Sequence, residues 1–281
     1  MPVVVGVDSS TQSTKVEVRD LDSGELVSSG RAAHPNTGTA PVSETNPNYW
    51  INAFDQAYAQ AGSPDAAAIS VAGQQHGLVT LDAQNKIVRD AKLWNDTESS
   101  PDAQWCVDQR DAAWWAEHIG SVPVASFTVA KLSWLKRVEP KNWAQVARIC
   151  LPHDFLSWYL RGGGSNEITT DRGDASGTGY WSAKTGQYDH EVLQIIDSTR
   201  DWSKMLPRVA APLEATGTWK DAVIGCGTGD NMAGALGVGL LPGDIAISLG
   251  TSGTVYAVSA KPTTDASAYV AGFADATGSF L

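Results

Sequence analysis

The chain has 281 residues, 42% of them hydrophobic, and a formal net charge of −11. That length and apolar content suffice for a substantial core and exceed the commonest single-domain size. The acidic balance, with no local basic patch, argues against nucleic acid or an anionic membrane as a partner.

At the start, Met1-Pro2 leads straight into Val3–Val7 with no basic region before it, which is unlike a secretory signal. Val3–Asp8 and Lys15–Asp20 read as two strands joined by the hydroxyl-rich loop Ser9-Ser10-Thr11-Gln12-Ser13-Thr14, and Glu25–Ala33 as a third strand. Asn46-Pro47 then supplies a cap and a first-turn proline. Tyr49, Trp50, Phe54, Ala57 and Tyr58 recur behind it at helical spacing as far as about Gly62. Ala67–Ala72 and Leu78–Leu81 read as buried strands around Gly73-Gln74-Gln75-His76-Gly77, with a further short strand at Ile87-Val88.

From Ser100-Pro101 the pattern is helical to about His118. Short amphipathic helices are expected over Thr128–Val138, Pro140–Ala147, Pro152–Leu160 and His190–Ile196, as an insertion between two β-rich regions. Strand character resumes at Val223 and again over Asp244–Leu249 and Thr254–Ser259, which places the chain in the α/β class. Most of the eleven tryptophans read as core. Cys106, Cys150 and Cys226 lack metal-ligand spacing and sit in apolar sequence, as reduced thiols do, which favours a cytoplasmic location.

Four stretches could carry chemistry. In the first hairpin, hydroxyls and backbone amides could bind phosphate, with Lys15 adding charge and Asp8 suited to hydrated Mg²⁺; an ordinary polar hairpin tip is the alternative. The GxxxxGK[ST] pattern of a Walker loop is missing. In Gly73–Gly77, two amides and an imidazole follow a strand directly, a set suited to a polyhydroxylated ligand, although a lone histidine is more often structural. Trp94-Asn95-Asp96 offers an aromatic face beside an amide and a carboxylate, or else a capping turn. In Val223–Gly239, Asp230 and Asn231 stand where a glycine-rich turn hands a strand over to a helix. Asp230 could act there as a general base, as a helix cap, or as both. Asp171 and Asp174 are further candidates, although the Gly/Ser/Asp-rich segment that holds them most simply reads as a capped loop.

The stretches VGVDSSTQSTK, GQQHGLVTLD, LWND, FTVAKLSWL, LPHDFLSWYLRG, TTDRGDASGTGYW, GCGTGDNMAGALGVG and SLGTSGTVYAV, in that order, resemble the FGGY carbohydrate kinases over essentially the whole chain, and within them the xylulokinases. Gln75 stands where the family often has Met, and Val138 where a polar residue is usual. The resemblance implies an actin-like ATPase (ribonuclease-H-like) α/β domain with a helical insertion over residues 1–243. The start of a second such domain would follow over 244–281. It also implies ATP and Mg²⁺ as cofactors and a ketose, most simply D-xylulose, as acceptor. Asp8, Thr11, Ser13 and Lys15 would face the phosphates, with Asp8 toward the metal, and Gly250, Thr251 and Ser252 would face them from the second domain. Gln75, His76, Trp94, Asn95, Asp230 and Asn231 would hold the sugar, with Asp230 as the base. Family members continue for most of another domain beyond the position of Leu281, so this chain alone is expected to turn over ATP poorly. A non-catalytic sugar-binding module, an actin-like assembly protein, a kinase of ribulose, glycerol or gluconate, and a possible homodimer remain open at this point.

Overall fold

The structure is a computed structural model that describes residues 2–35, 38–249 and 253–281. Three strands open it: β1 (Val3–Ser9), β2 (Ser13–Asp20) and β3 (Leu26–Ala33). β1 and β2 pair antiparallel with Asp8 opposite Lys15, and β2 pairs antiparallel with β3. In β1 the side chains of Val5, Val7 and Ser9 are buried while Gly6 and Asp8 face outward, the period-two signature of a strand packed on one face. Helix α1 (Asn48–Gln60) crosses that face and buries Trp50, Ala53, Phe54, Ala57 and Tyr58. Tyr49, expected inside, is instead 39% exposed. A Cβ at Gly30 would stand 1.9 Å from the Ala57 carbonyl oxygen, so the glycine is what lets α1 lie directly on β3.

β4 (Ala68–Gly73) adds to β1 in parallel, with Ser9 beside Gly73. On its other side come β5 (Ala215–Trp219) and β6 (Ala222–Gly225), an antiparallel pair of which β6 runs parallel to β4. The short β7 (Thr228–Gly229) also pairs with β4 in parallel, Gly229 beside Gly73. Among the described residues the order β5-β6-β4-β1-β2-β3 is therefore a mixed seven-stranded sheet with β7 off its path. Ala215–Trp219 was not foreseen: its alternation is broken by Gly217, which sits at an irregularity in the register.

Between β4 and β5 the chain is mainly helical, as expected, with short strands among the helices: Val79–Leu81, within the expected Leu78–Leu81, pairs antiparallel with Arg148–Cys150. This segment buries Trp115, Leu132, Leu135, Ile149, Leu193 and Ile196 in a second core separate from the one under the sheet. The expected long helix from Ser100 is two, Ser100–Gln109 and Ala112–Ile119, parted where Arg110 is extended and Asp111 caps the second. Ile87 makes only an isolated bridge to Leu81. All three cysteines are free and buried. No helix among the described residues is long and apolar enough to cross a membrane.

The hairpin β8 (Ile245–Leu249) and β9 (Gly253–Ala257) pairs antiparallel and stands away from the main sheet. The segment after it returns. Arg172 Nη1 donates to Asp275 Oδ1 at 3.0 Å and to the Ser279 carbonyl at 2.6 Å, and Phe273 packs against His76 and Phe127.

Candidate functional site

Three parallel strands end side by side, because Gly73 of β4 is level with both Ser9 of β1 and Gly229 of β7. Whatever follows these positions emerges at one sheet edge, the carboxyl edge where α/β folds bind ligands. The hydroxyl loop, Gln74-Gln75-His76 and Asp230-Asn231 are what follow. The edge is thus set by backbone pairing, before any side chain is considered.

Gln75 Oε1 accepts a hydrogen bond from Asn231 Nδ2 at 2.9 Å, joining residues 156 positions apart. A Cβ on Gly229 would lie 2.6 Å from Gln75 Cγ, so glycine there makes the approach possible. The other amide nitrogen of this pair, Gln75 Nε2, is buried without a partner among the described residues, as are both polar atoms of Gln74. His76 has φ +65°, the left-handed region, and its Nδ1 is 2.6 Å from the Gly177 carbonyl oxygen. Burial first, then the Lys131 ammonium, lowers the His76 pKa to about 4. A neutral ring facing a carbonyl must carry its proton on Nδ1, which leaves Nε2 as an acceptor for a ligand hydroxyl.

Asp230 is the first residue of helix α2 (Asp230–Gly237) and does not cap it: Gly229 is the cap residue, and the Asp230 carboxylate accepts from the adjacent Asn231 amide at 2.8 Å. Burial, opposed by that hydrogen bond and reinforced by the negative charge of Asp8, raises its pKa to about 6. A carboxylate titrating near neutrality is well matched to general-base work.

Asp8 is exposed at the rim of a cleft of about 510 Å³ that also reaches Lys15, Gly225, Thr228, Ala233 and Gly237. Ser10 donates to Asp8 Oδ1 at 2.7 Å. The Lys15 ammonium pairs with Glu17 on its own strand, and Ser13 Oγ accepts from Arg31 Nε at 3.0 Å. Lys15 and Ser13, two of the expected phosphate-facing residues, thus already have protein partners. Thr11 Oγ1 accepts from Trp94 Nε1 at 2.9 Å, which brings the aromatic turn over the hairpin tip; Asn95 Oδ1 accepts from Ser43 Oγ at 2.8 Å. Gly250, Thr251 and Ser252 lie outside the described residues. A larger cavity of about 640 Å³, lined by Trp181, Tyr188 and Arg208 among others, contains none of these residues; the smaller cleft reaches Asp8 and Lys15, while Gln75, His76, Asp230 and Asn231 stand outside its lining, just past the strand ends at Gly73 and Gly229.

Two lysines complete the surroundings, and sequence reasoning gave them no role. Lys92 is fully buried among Glu44, Asp96 and Glu98 at 3.0, 3.0 and 2.6 Å, with its ammonium 3.8 Å from the centre of the Trp134 ring. It anchors the turn that carries Trp94 and Asn95. Lys131, also fully buried, donates to the carbonyls of Ala125 and Ser126 and shapes the segment leading to Phe127, which packs on His76. A lysine in an amphipathic pattern normally reads as surface; the available signal was KLSWL, where Lys131 and Trp134 share a helix face.

A mixed sheet of this order, with the first hairpin, the Gln75–Asn231 pair and Asp230 at one edge, belongs with the sugar kinases of the actin-like ATPase fold. The FGGY family of carbohydrate kinases, N-terminal domain, matches residues 3–237, and the chain belongs to that family. It is 47% identical to xylulose kinase of Streptomyces rubiginosus over 100% of this chain and 59% of that one. Among solved structures, xylulose kinase from Bifidobacterium adolescentis superposes with a TM-score of 0.92 at 38% identity, covering 100% of this chain and 63% of that one. Gluconate kinase from Lactobacillus acidophilus, at 23% identity and a TM-score of 0.90, covers 100% of this chain and 58% of its own, and shares the fold. The chain spans about three-fifths of the length of the curated relatives it matches.

Proposed function

We propose that the complete protein transfers the γ-phosphoryl group of ATP to D-xylulose, giving D-xylulose 5-phosphate and ADP. The observation that carries this reading is the convergence of Asp230, the Gln75–Asn231 pair and the first hairpin at one sheet edge. The xylulose kinases among its relatives support the choice of sugar.

In this reading Gln75, His76 and Asn231 orient the ketose through its hydroxyls, with Trp94 and Asn95 closing one side. Asp230 accepts the proton of the terminal hydroxyl as that oxygen attacks the γ-phosphorus and the bond to ADP breaks. Thr11, Ser13, Lys15 and the backbone amides of the hairpin face the phosphates, as do Gly250, Thr251 and Ser252. Asp8 fits a magnesium ion: it is an exposed hard-oxygen donor at the cleft rim, and a single carboxylate beside phosphate and water is the usual magnesium environment. Such an ion neutralises phosphate charge. Residues 1–243 act as the sugar-binding unit carrying the base, and 244–281 as the opening of a second unit. Three buried unpaired thiols support a cytoplasmic location.

A coupled assay of the complete gene product with D-xylulose, ribulose, glycerol and gluconate tests the proposal. D-xylulose is expected to give the highest kcat/KM. Preference for another acceptor would replace the sugar, and binding without ADP release would replace catalysis by a sugar-binding role.

A further inference from the structure

Beneath the Gly225–Asp230 turn lies a buried charged cluster that the proposed reaction does not use. His153 stands in the first turn of the helix Pro152–Leu160 and is fully buried. Its Nδ1 is 2.6 Å from Asp174 Oδ2, while Nε2 faces Asp154 Oδ1 at 3.3 Å and Asp171 Oδ1 at 3.9 Å. The Asp174 amide donates to Asp171 Oδ1 at 2.9 Å. Asp171 Oδ2 in turn accepts from the Gly173 amide at 2.8 Å and from Thr228 Oγ1 at 2.6 Å. Thr228 is the second residue before Asp230.

The imidazole is also wedged mechanically. A Cβ on Gly227, whose φ is +73°, would stand 2.8 Å from His153 Cδ2 and 2.6 Å from the Val71 carbonyl oxygen. One on Gly73 would stand 2.8 Å from His153 Cβ. His153 therefore lies close to the end of β4 through its Cβ and backbone and to the glycine turn through its ring. Burial opposes a charge on His153, whereas Asp154, the hydrogen-bonded Asp174 and Asp171 favour it and together raise its pKa. Buried ion clusters are weak sources of stability and are often replaceable by apolar groups of similar volume. A cluster bonded into the turn that presents a base has another use.

We propose that His153 is a positioning residue for phosphoryl transfer: through Asp174, Asp171 and Thr228 it fixes the turn that aims Asp230 at the acceptor hydroxyl, and it touches neither substrate. The proposal rests on Asp230 being the base. Misplacing a reacting group by about 1 Å can cost on the order of a hundredfold in rate, so the effect belongs in kcat.

Steady-state kinetics of the complete gene product test it with His153→Gln, Thr228→Val, the double variant, and Asp230→Asn as a control. Each single variant is expected to lower kcat by about 10- to 100-fold with the sugar KM within about threefold. The double variant should be little worse than the poorer single one, because both cut one network. Normal kcat in the near-isosteric Thr228→Val, or losses that multiply in the double variant, would overturn the proposal even if His153→Gln failed to fold. Near-normal turnover by Asp230→Asn would remove the base assignment and this proposal with it. An inactive Asp230→Asn beside a fully active His153→Gln would remove this proposal alone.

Discussion

The burial that lifts the Asp230 carboxyl to a pKa of about 6 acts on stability and on turnover with opposite signs. Its folded-state pKa lies above its unfolded value of about 3.9, so the native state holds the proton more tightly. Stability from this group is complete below pH 4 and lost as pH rises through 6, a cost of roughly 2–3 kcal/mol by pH 8. Ionisation is what a general base requires, so turnover must rise over the window in which stability falls. Asp230→Asn is therefore expected to raise the unfolding midpoint at pH 8 and leave it unchanged at pH 4, while lowering kcat by about 10²- to 10⁴-fold. Thermal melts at both pH values, together with a kcat profile climbing through about pH 6 in the natural sequence, check the pair of signs. A variant less stable at pH 8 than the natural protein would refute the assignment of strain to this carboxylate.

Elements place these residues, and they differ in how plainly the sequence announces them. β1, β2 and the body of α1 were legible because alternation and helical spacing are local signals, although Pro47 is the N-cap residue of α1 and not part of its first turn. The break at Arg110 and the strand Ala215–Trp219 were not: Arg110 is extended inside an otherwise helical pattern with Asp111 capping the second helix, and Gly217 interrupts the alternation of a strand paired to its own neighbour in sequence. The site divides in the same way. Gln75, His76 and Asp230 stood out beside glycines at strand ends, whereas the burial of Lys92, Lys131 and His153 follows only from which carboxylates and carbonyls the fold brings to them. Asp171 does cap its helix, as the simpler reading had it, and also receives Thr228 from across the sheet. Gly30 shows how one such long-range demand fixes an element. Gly30→Ala would drive a methyl group into the Ala57 carbonyl, so α1 must move off β3, at a cost of about 1–3 kcal/mol. A denaturation midpoint matching that of the natural protein would mean that α1 shifts freely, against the packing of Phe54 and Ala57 described above.

Across the whole molecule, stability should be graded along the chain. Val5, Val7, Ile69 and Val71 are at most 3% exposed within the central sheet, whereas Ile245, Ile247 and Val255 in the hairpin β8–β9 are at least 65% exposed. Hairpin amides are held by two strands and little side-chain burial, so they should open independently of the sheet. The residues proposed to face the sugar are tied instead into the stable part, through the Gln75–Asn231 bond and the parallel rows that end at Gly73. Hydrogen exchange on this 281-residue chain should therefore show rapid exchange over Ile245–Leu249 and Gly253–Ala257 and slow exchange over Val3–Ser9 and Ala68–Gly73. D-xylulose should add protection over 73–77 and 225–231 while leaving the hairpin unchanged, because ordering a ligand-facing loop stabilises only the unit to which that loop is bonded. Protection appearing in the hairpin and not at those two stretches would place the sugar elsewhere and dissolve the common edge on which the proposed chemistry rests.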